Sequence, residues 1–121
     1  NDEVEIKLAG GDRITSVITH ESVENLGLKV GQGAIALVKA SSVMVGTGDG
    51  ERLRLSARNQ LAGKVTRVTP GAVNFEIVIG LRGGNTVAAI ITNVAAKSLE
   101  LNVGQKALAI FKASSVILGV T

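Results

Sequence analysis

Apolar and polar positions alternate along this chain, and they do so in two rounds. Val73, Phe75, Ile77 and Ile79 are separated by residues such as Asn74 and Glu76, and Val4, Ile6 and Leu8 by Glu5 and Lys7. A period of two marks a strand with one buried face. The later round is the more complete. It predicts a long strand over 53–68, with Gly63 as a bulge or bend. A turn follows at Thr69-Pro70-Gly71, then a strand over 73–79. Arg82-Gly83-Gly84-Asn85 turns the chain into a returning strand over 86–92, closing a hairpin. Thr92 or Asn93 is placed to cap a short helix over 94–99, because its side chain can satisfy free amides of the first turn. Strands over 107–112 and 116–120 complete the round. The earlier round repeats the scheme from the second strand onward. Its hairpin turns at Gly10-Gly11-Asp12, its helix covers 20–26, and its last strands cover 34–39 and 43–45.

The two rounds are copies of one unit. Residues 1–47 lie on residues 74–120 at a constant offset of 73 without a gap, and 21 of the 47 pairs are identical. The chain therefore divides into a first lobe, 1–47, a linker, 48–53, and a second lobe, 54–121. Each complete lobe reads as five short strands and one short helix. The fold class is all-β, two tandem barrels of the small oligonucleotide/oligosaccharide-binding (OB-like) kind. The first lobe lacks an opening strand, since nothing precedes Asn1 to match 56–73. A lobe without it would expose an unpaired ladder, so we expect the sequence to be part of a longer one.

Composition narrows the chemistry. Aromatic residues are only 2 % of the chain, so Val, Ile, Leu and Ala must build the core. Lobes of roughly 60 residues are at the lower limit for an independent core, which predicts tight lobe–lobe packing and association between chains. There is no cysteine, hence no disulfide framework and no thiolate metal site. No signal peptide is visible and no apolar run approaches membrane-spanning length. The net charge of +3 admits an anionic ligand. It is mild for a nucleic-acid binder, and two Phe cannot make a base-stacking platform.

An enzyme is hard to build from these residues. The single histidine, His20, has no twin, because Asn93 takes its place, and it reads as a surface residue at a helix start. Glu3, Glu5, Glu21 and Glu24 read as solvated faces, and no His/Asp/Glu group has metal-ligand spacing. Both copies keep Lys-Ala-Ser-Ser, at 39–42 and 112–115, between two apolar strands. It offers an ammonium, two hydroxyls and successive amides, all donors, and closely spaced amides can form an anion-binding concavity. Thr19 and Thr92 add hydroxyls beside a helix start, and Ser56-Ala57-Arg58-Asn59 adds a hydroxyl, a guanidinium and an amide. Taken alone, Lys-Ala-Ser-Ser is equally a polar turn. Its retention while Asp12/Asn85 and Glu24/Lys97 diverged favours a site for a small oxyanion.

With those residues in view, the chain resembles the molbindin (Mop, or TOBE-type) family. The resemblance rests on Ser-Ala-Arg-Asn-Gln-Leu-x-Gly at 56–63, Gly-Ala-Val-Asn at 71–74, Gly-Gly at 83–84, Ile-Thr at 91–92 and Lys-Ala-Ser-Ser-Val-Ile-Leu-Gly-Val at 112–120. It implies binding of molybdate or tungstate without catalysis or an organic cofactor, in the cytoplasm, away from nucleic acid and membrane. It implies six-lobe assemblies, here a trimer of two-lobe chains, with oxyanions at lobe interfaces. One lobe would supply Ser56, Ala57, Arg58 and Asn59; the facing lobe Thr19, Ser22, Lys39, Ala40 and Ser41, or Thr92, Lys112, Ala113 and Ser114. Ser22 corresponds to Ala95, so the two sites are expected to differ. Two further roles are compatible with the resemblance: the ligand-binding region of a molybdate-responsive transcriptional regulator, and an accessory domain of a molybdate transporter ATPase. A purely structural barrel module is the remaining reading.

Overall fold

The computed structural model describes residues 1–48 and 52–121. The expected linker over 48–53 falls partly on residues outside that range. The first lobe contains β1 (Asp2–Lys7), β2 (Arg13–Ile18), α1 (His20–Leu26), β3 (Ile35–Val38) and β4 (Met44–Thr47). The second contains β5 (Asn59–Pro70), β6 (Asn74–Gly80), β7 (Thr86–Thr92), α2 (Asn93–Ser98), β8 (Lys106–Phe111) and β9 (Val116–Gly119). The chain is all-β in architecture, two tandem OB-like lobes, each with one short helix. Among the described residues no helix is long and apolar enough to cross a membrane.

The lobes are not separate barrels. β3 of the first lobe pairs with β9 of the second, and β4 of the first pairs with β8 of the second. The registers are the same pairing seen from either copy: Leu37 lies opposite Ile117, and Met44, the twin of Ile117, opposite Ile110, the twin of Leu37. The exchange is thus two-fold symmetric. The twins Gly10 and Gly83 meet at the other end of that symmetry. A Cβ on Gly10 would stand 2.1 Å from the Arg82 carbonyl oxygen, and one on Gly83 would stand 2.4 Å from the Gly10 nitrogen. Only glycines let the two hairpin turns approach so closely.

One continuous core runs through both lobes. Ile14 and Val43 join Leu61, Val65, Ile77, Ile79, Ala109, Phe111 and Val116 in it. These are apolar positions of alternating strands, turned to one side by the period of two.

Three local expectations change. The strand expected from residue 53 begins at Asn59. The Gln60 side chain accepts from the Leu53 N–H and donates to the Leu53 carbonyl, both at 2.7 Å, so a side chain takes the place of a ladder partner there. Thr69 and Pro70 belong to β5, with Pro70 opposite Phe75 as its last residue, where a missing N–H is tolerated. The register irregularity lies between Val65 and Arg67 rather than at Gly63. Gly63 instead permits close approach, since a Cβ there would stand 2.2 Å from the Gly80 carbonyl oxygen. At Lys64 the strand passes from β8 to β6, paired with Lys106 on one side and Gly80 on the other.

Candidate functional site

Each Lys-Ala-Ser-Ser segment forms a tight 3-10 turn between two strands. In the first lobe the Ser42 N–H donates to the Lys39 carbonyl at 2.8 Å and the Val43 N–H to the Ala40 carbonyl at 3.2 Å. In the second the Ser115 N–H donates to the Lys112 carbonyl at 2.9 Å. The first amides of such a turn have no partner within it. Lys39, Ser41, Lys112 and Ser114 are exposed, Ala40 is half-buried and Ala113 is buried. Because the closing strands are exchanged, each turn packs on the opposite lobe: the Lys39 turn on β7 and the Lys112 turn on β2. The buried Ser16 hydroxyl fastens the second contact by donating to the Val116 carbonyl at 3.1 Å.

Ser56–Asn59 reaches the same place from the other side. Asn59 is buried, and its amide bonds both backbone groups of Thr15 in β2, accepting from the N–H and donating to the carbonyl at 2.8 Å each. Ala57 is buried against Leu108 and Ile110. Asn59 lies opposite Phe111, so Arg58 and Lys112 occupy the next positions at that end of the strand pair. Arg58 makes a two-pronged pair with Glu3 of β1, at 3.0 and 3.1 Å. The guanidinium holds the Glu3 carboxyl below the usual carboxylate range, first by the hydrogen bond and then by its charge. The structure thus brings Ala57, Arg58 and Asn59 to the end of the β5–β8 pair from which the Lys112 turn leaves, with β2 of the first lobe lying across that end; Ser56 and Ser114 are exposed.

The threonines close the strands on which the turns pack. Thr19 caps α1, accepting from the Ser22 N–H at 3.1 Å and donating its own proton to the Ser22 hydroxyl at 2.8 Å. Thr92 caps α2, accepting from the Ala95 N–H at 3.1 Å. Ala95 has no hydroxyl to receive the Thr92 proton. The Lys39–Ser41 turn differs more. Where the second lobe has β5 between β8 and β6, the first has an open groove between β3 and β1. No Ser-x-Arg-Asn segment stands beside that turn among the described residues. Glu3, read in the sequence as part of a solvated face, is exposed and paired with Arg58, as its twin Glu76 is paired with Arg67.

The TOBE domain model matches residues 1–45 and 55–118. The chain belongs to the TOBE-domain family. Each of the two matched TOBE segments lies within one of the repeated halves of the chain. Among curated relatives, the molybdenum transport protein ModE of Azotobacter vinelandii is 46 % identical over 98 % of this chain and 43 % of its own length. The molybdenum-pterin-binding protein MopA of Rhodobacter capsulatus is 45 % identical over 98 % of this chain and 44 % of its own length. This TOBE chain therefore spans less than half the length of those relatives. A solved structure of the cytoplasmic molybdate-binding protein ModG, with molybdate bound, superposes with a TM-score of 0.91 at 44 % identity. That match covers 98 % of this chain and 84 % of ModG.

Proposed function

We propose that this TOBE pair binds molybdate or tungstate as an intact tetrahedral dianion, with no chemical conversion, for storage or homeostasis in the cytoplasm. What supports the reading is the adjacency of Arg58 and Lys112, the next positions beyond the Asn59–Phe111 pair, beside the first amides of the Lys112 turn. Such a lining suits a ligand that accepts hydrogen bonds on all sides. Arg58 already holds a planar oxyanion, the Glu3 carboxylate, in two-pronged fashion. A dianion entering the site exchanges for Glu3 on that guanidinium. The named ligand of ModG and the names of the curated relatives support the same class of ligand.

Each hydrogen bond to a charged group contributes on the order of 1.5–3 kcal/mol net. A handful reach micromolar binding, about −8 kcal/mol, after ordering costs. Thr19, Ser22, Lys39, Ala40 and Ser41, or Thr92, complete the donor set from a facing lobe in a trimer of two-lobe chains. Titration calorimetry with molybdate, tungstate, sulfate and phosphate tests the reading. Heat with the first two and little with the others is expected, and no heat with molybdate or tungstate would sink it. Sedimentation equilibrium, with and without anion, tests the trimer, and a strictly monomeric chain overturns it.

A further inference from the structure

We infer that the Asp12–Arg82 ion pair is a pairing code: it matches the first lobe to the second and rejects pairing of a lobe with its own kind. The need for such a code follows from the duplication. The lobes share one fold, and they exchange closing strands with two-fold symmetry, β3 with β9 and β4 with β8. Strands so alike fit any two lobes, including the first lobes of two separate chains. Joining the lobes in one chain raises their local concentration for one another, and a residue code adds a preference that holds between chains as well. Several contacts between the lobes cannot supply it. The Gly10–Gly83 approach joins identical residues. Leu37, now opposite Ile117, would meet Met44 in a first–first pair, another large apolar residue. The Ser16 bond is neutral in the sum. Ser16 donates to the Val116 carbonyl, and its twin Ala89 has no hydroxyl to offer Val43. Two mixed lobe pairs therefore hold two such bonds, and one first–first pair with one second–second pair also holds two, both in the former.

The hairpin tips do tell the lobes apart. Positions 9 and 82 are twins held by Ala and Arg, and positions 12 and 85 are twins held by Asp and Asn. Across the axis the Arg82 guanidinium donates to Asp12 Oδ1 at 2.8 Å. The symmetric counterpart of that contact sets Ala9 against Asn85, both neutral. Two mixed lobe pairs thus hold two ion pairs, whereas a first–first pair and a second–second pair hold none. The first–first pair carries a further penalty. The Asp12 side chain is only 13 % exposed, and its Oδ2 is buried without a hydrogen-bond partner. With Ala9 standing where Arg82 now stands, that carboxylate would face no cation, and an uncompensated buried charge is strongly destabilising. Arg82 is exposed, so facing Asn85 would leave its guanidinium in water. Rejection therefore falls on the first lobe, and the second is left with it as partner. Leaving a charge unmet in the wrong pair is a general route to specificity.

The test uses the whole chain with these charges reversed and no anion added, so it does not depend on molybdate binding. Asp12→Arg sets two arginines together, Arg82→Asp sets two aspartates together, and both changes in one chain restore an ion pair of opposite sense. Each single variant should melt about 3 °C or more below the parent, and the double variant should recover most of that loss. Pairing itself is read by disulfide capture, which is clean in a chain without cysteine. Leu37 and Ile117 lie opposite one another across the lobes and are both exposed. A chain carrying Asp12→Arg and Leu37→Cys is refolded from urea together with one carrying Arg82→Asp and Ile117→Cys, then oxidised. Each chain is repelled from itself, and the first lobe of one matches the second lobe of the other. The disulfide between chains should form in about fivefold or greater yield than in a mixture of Leu37→Cys and Ile117→Cys chains with native charges. Equal yields in the two mixtures, or a double variant no more stable than the single ones, overturns the inference. If a single variant fails to fold, the stability of the double variant against the parent decides.

Discussion

β3 and β8 occupy the same place in their two lobes, yet β8 is buried along nearly its whole length while β3 alternates between exposed and half-buried residues. Both strands alternate small and large apolar residues, so the difference is one of neighbours. Among the described residues β8 has β4 on one side and β5 on the other, whereas β3 has β9 alone. Burial is thus set by what lies alongside a strand as much as by its own pattern. The lesson extends to chemistry. Among the described residues Lys112 stands beside a Ser-x-Arg-Asn segment and Lys39 does not, so identical turns have unequal neighbours.

The comparison can be broken most forcefully in the core. Leu108→Ala should cost about 2–5 kcal/mol of folding stability, and Ile35→Ala at the twin position less than about 1 kcal/mol. Urea unfolding of both variants decides it, and equal losses would mean that the groove is covered in solution. Next comes the tie between lobes. Asn59→Ala leaves both backbone groups of Thr15 without their partner and should cost about 1–3 kcal/mol, read from the same unfolding curves. Third, Lys112→Ala should weaken molybdate affinity by about tenfold or more with the melting temperature unchanged. Lys39→Ala should do so less, and calorimetry on the two variants ranks the turns.

A smaller effect is expected after the helices. Gly27 follows α1 in the left-handed region at φ 63°, and its twin Glu100 holds φ 52° despite a side chain. Glu100→Gly should therefore stabilise the second lobe by about 0.5–1 kcal/mol, seen as a raised melting temperature. The smallest effect depends on pH. His20 lies 2.7 Å from Asp2 and 2.9 Å from Glu24, and its pKa is raised, chiefly by the hydrogen bond and charge of Asp2. A raised folded-state pKa contributes stability below the ordinary value of about 6.5 and loses it as pH rises through the folded value. The stability difference between the native chain and His20→Asn should shrink across that window. A difference independent of pH would remove the pair as its cause.

The elements themselves were legible in the sequence. Period-two runs placed β1 and β6, the Gly-Gly pairs placed the hairpin turns and with them the returning β7, and the cap of α2 was narrowed to Thr92 or Asn93. Duplication also marked Lys-Ala-Ser-Ser and Ile-Thr, which the structure forms as 3-10 turns and helix caps. The start of β5 was not. Leu53 and Leu55 continue an apolar pattern, but the side chain of Gln60 takes over Leu53. The exchange of strands was equally hidden. Alternation says which face of a strand is buried and nothing about which copy supplies the neighbouring ladder. Ile117 would fit beside Ile110 of its own lobe by hydrophobicity as well as it fits beside Leu37.

That exchange has a consequence for how the molecule forms. The ladders β3–β9 and β4–β8 join residues from distant parts of the chain, and such pairings close slowly because loop entropy is lost before contacts compensate. Neither half can complete its ladders until the other has been synthesised and has come within reach. Folding and unfolding should therefore each occur as one event for the whole chain, and severing it between the halves should leave two fragments that gain structure only when mixed.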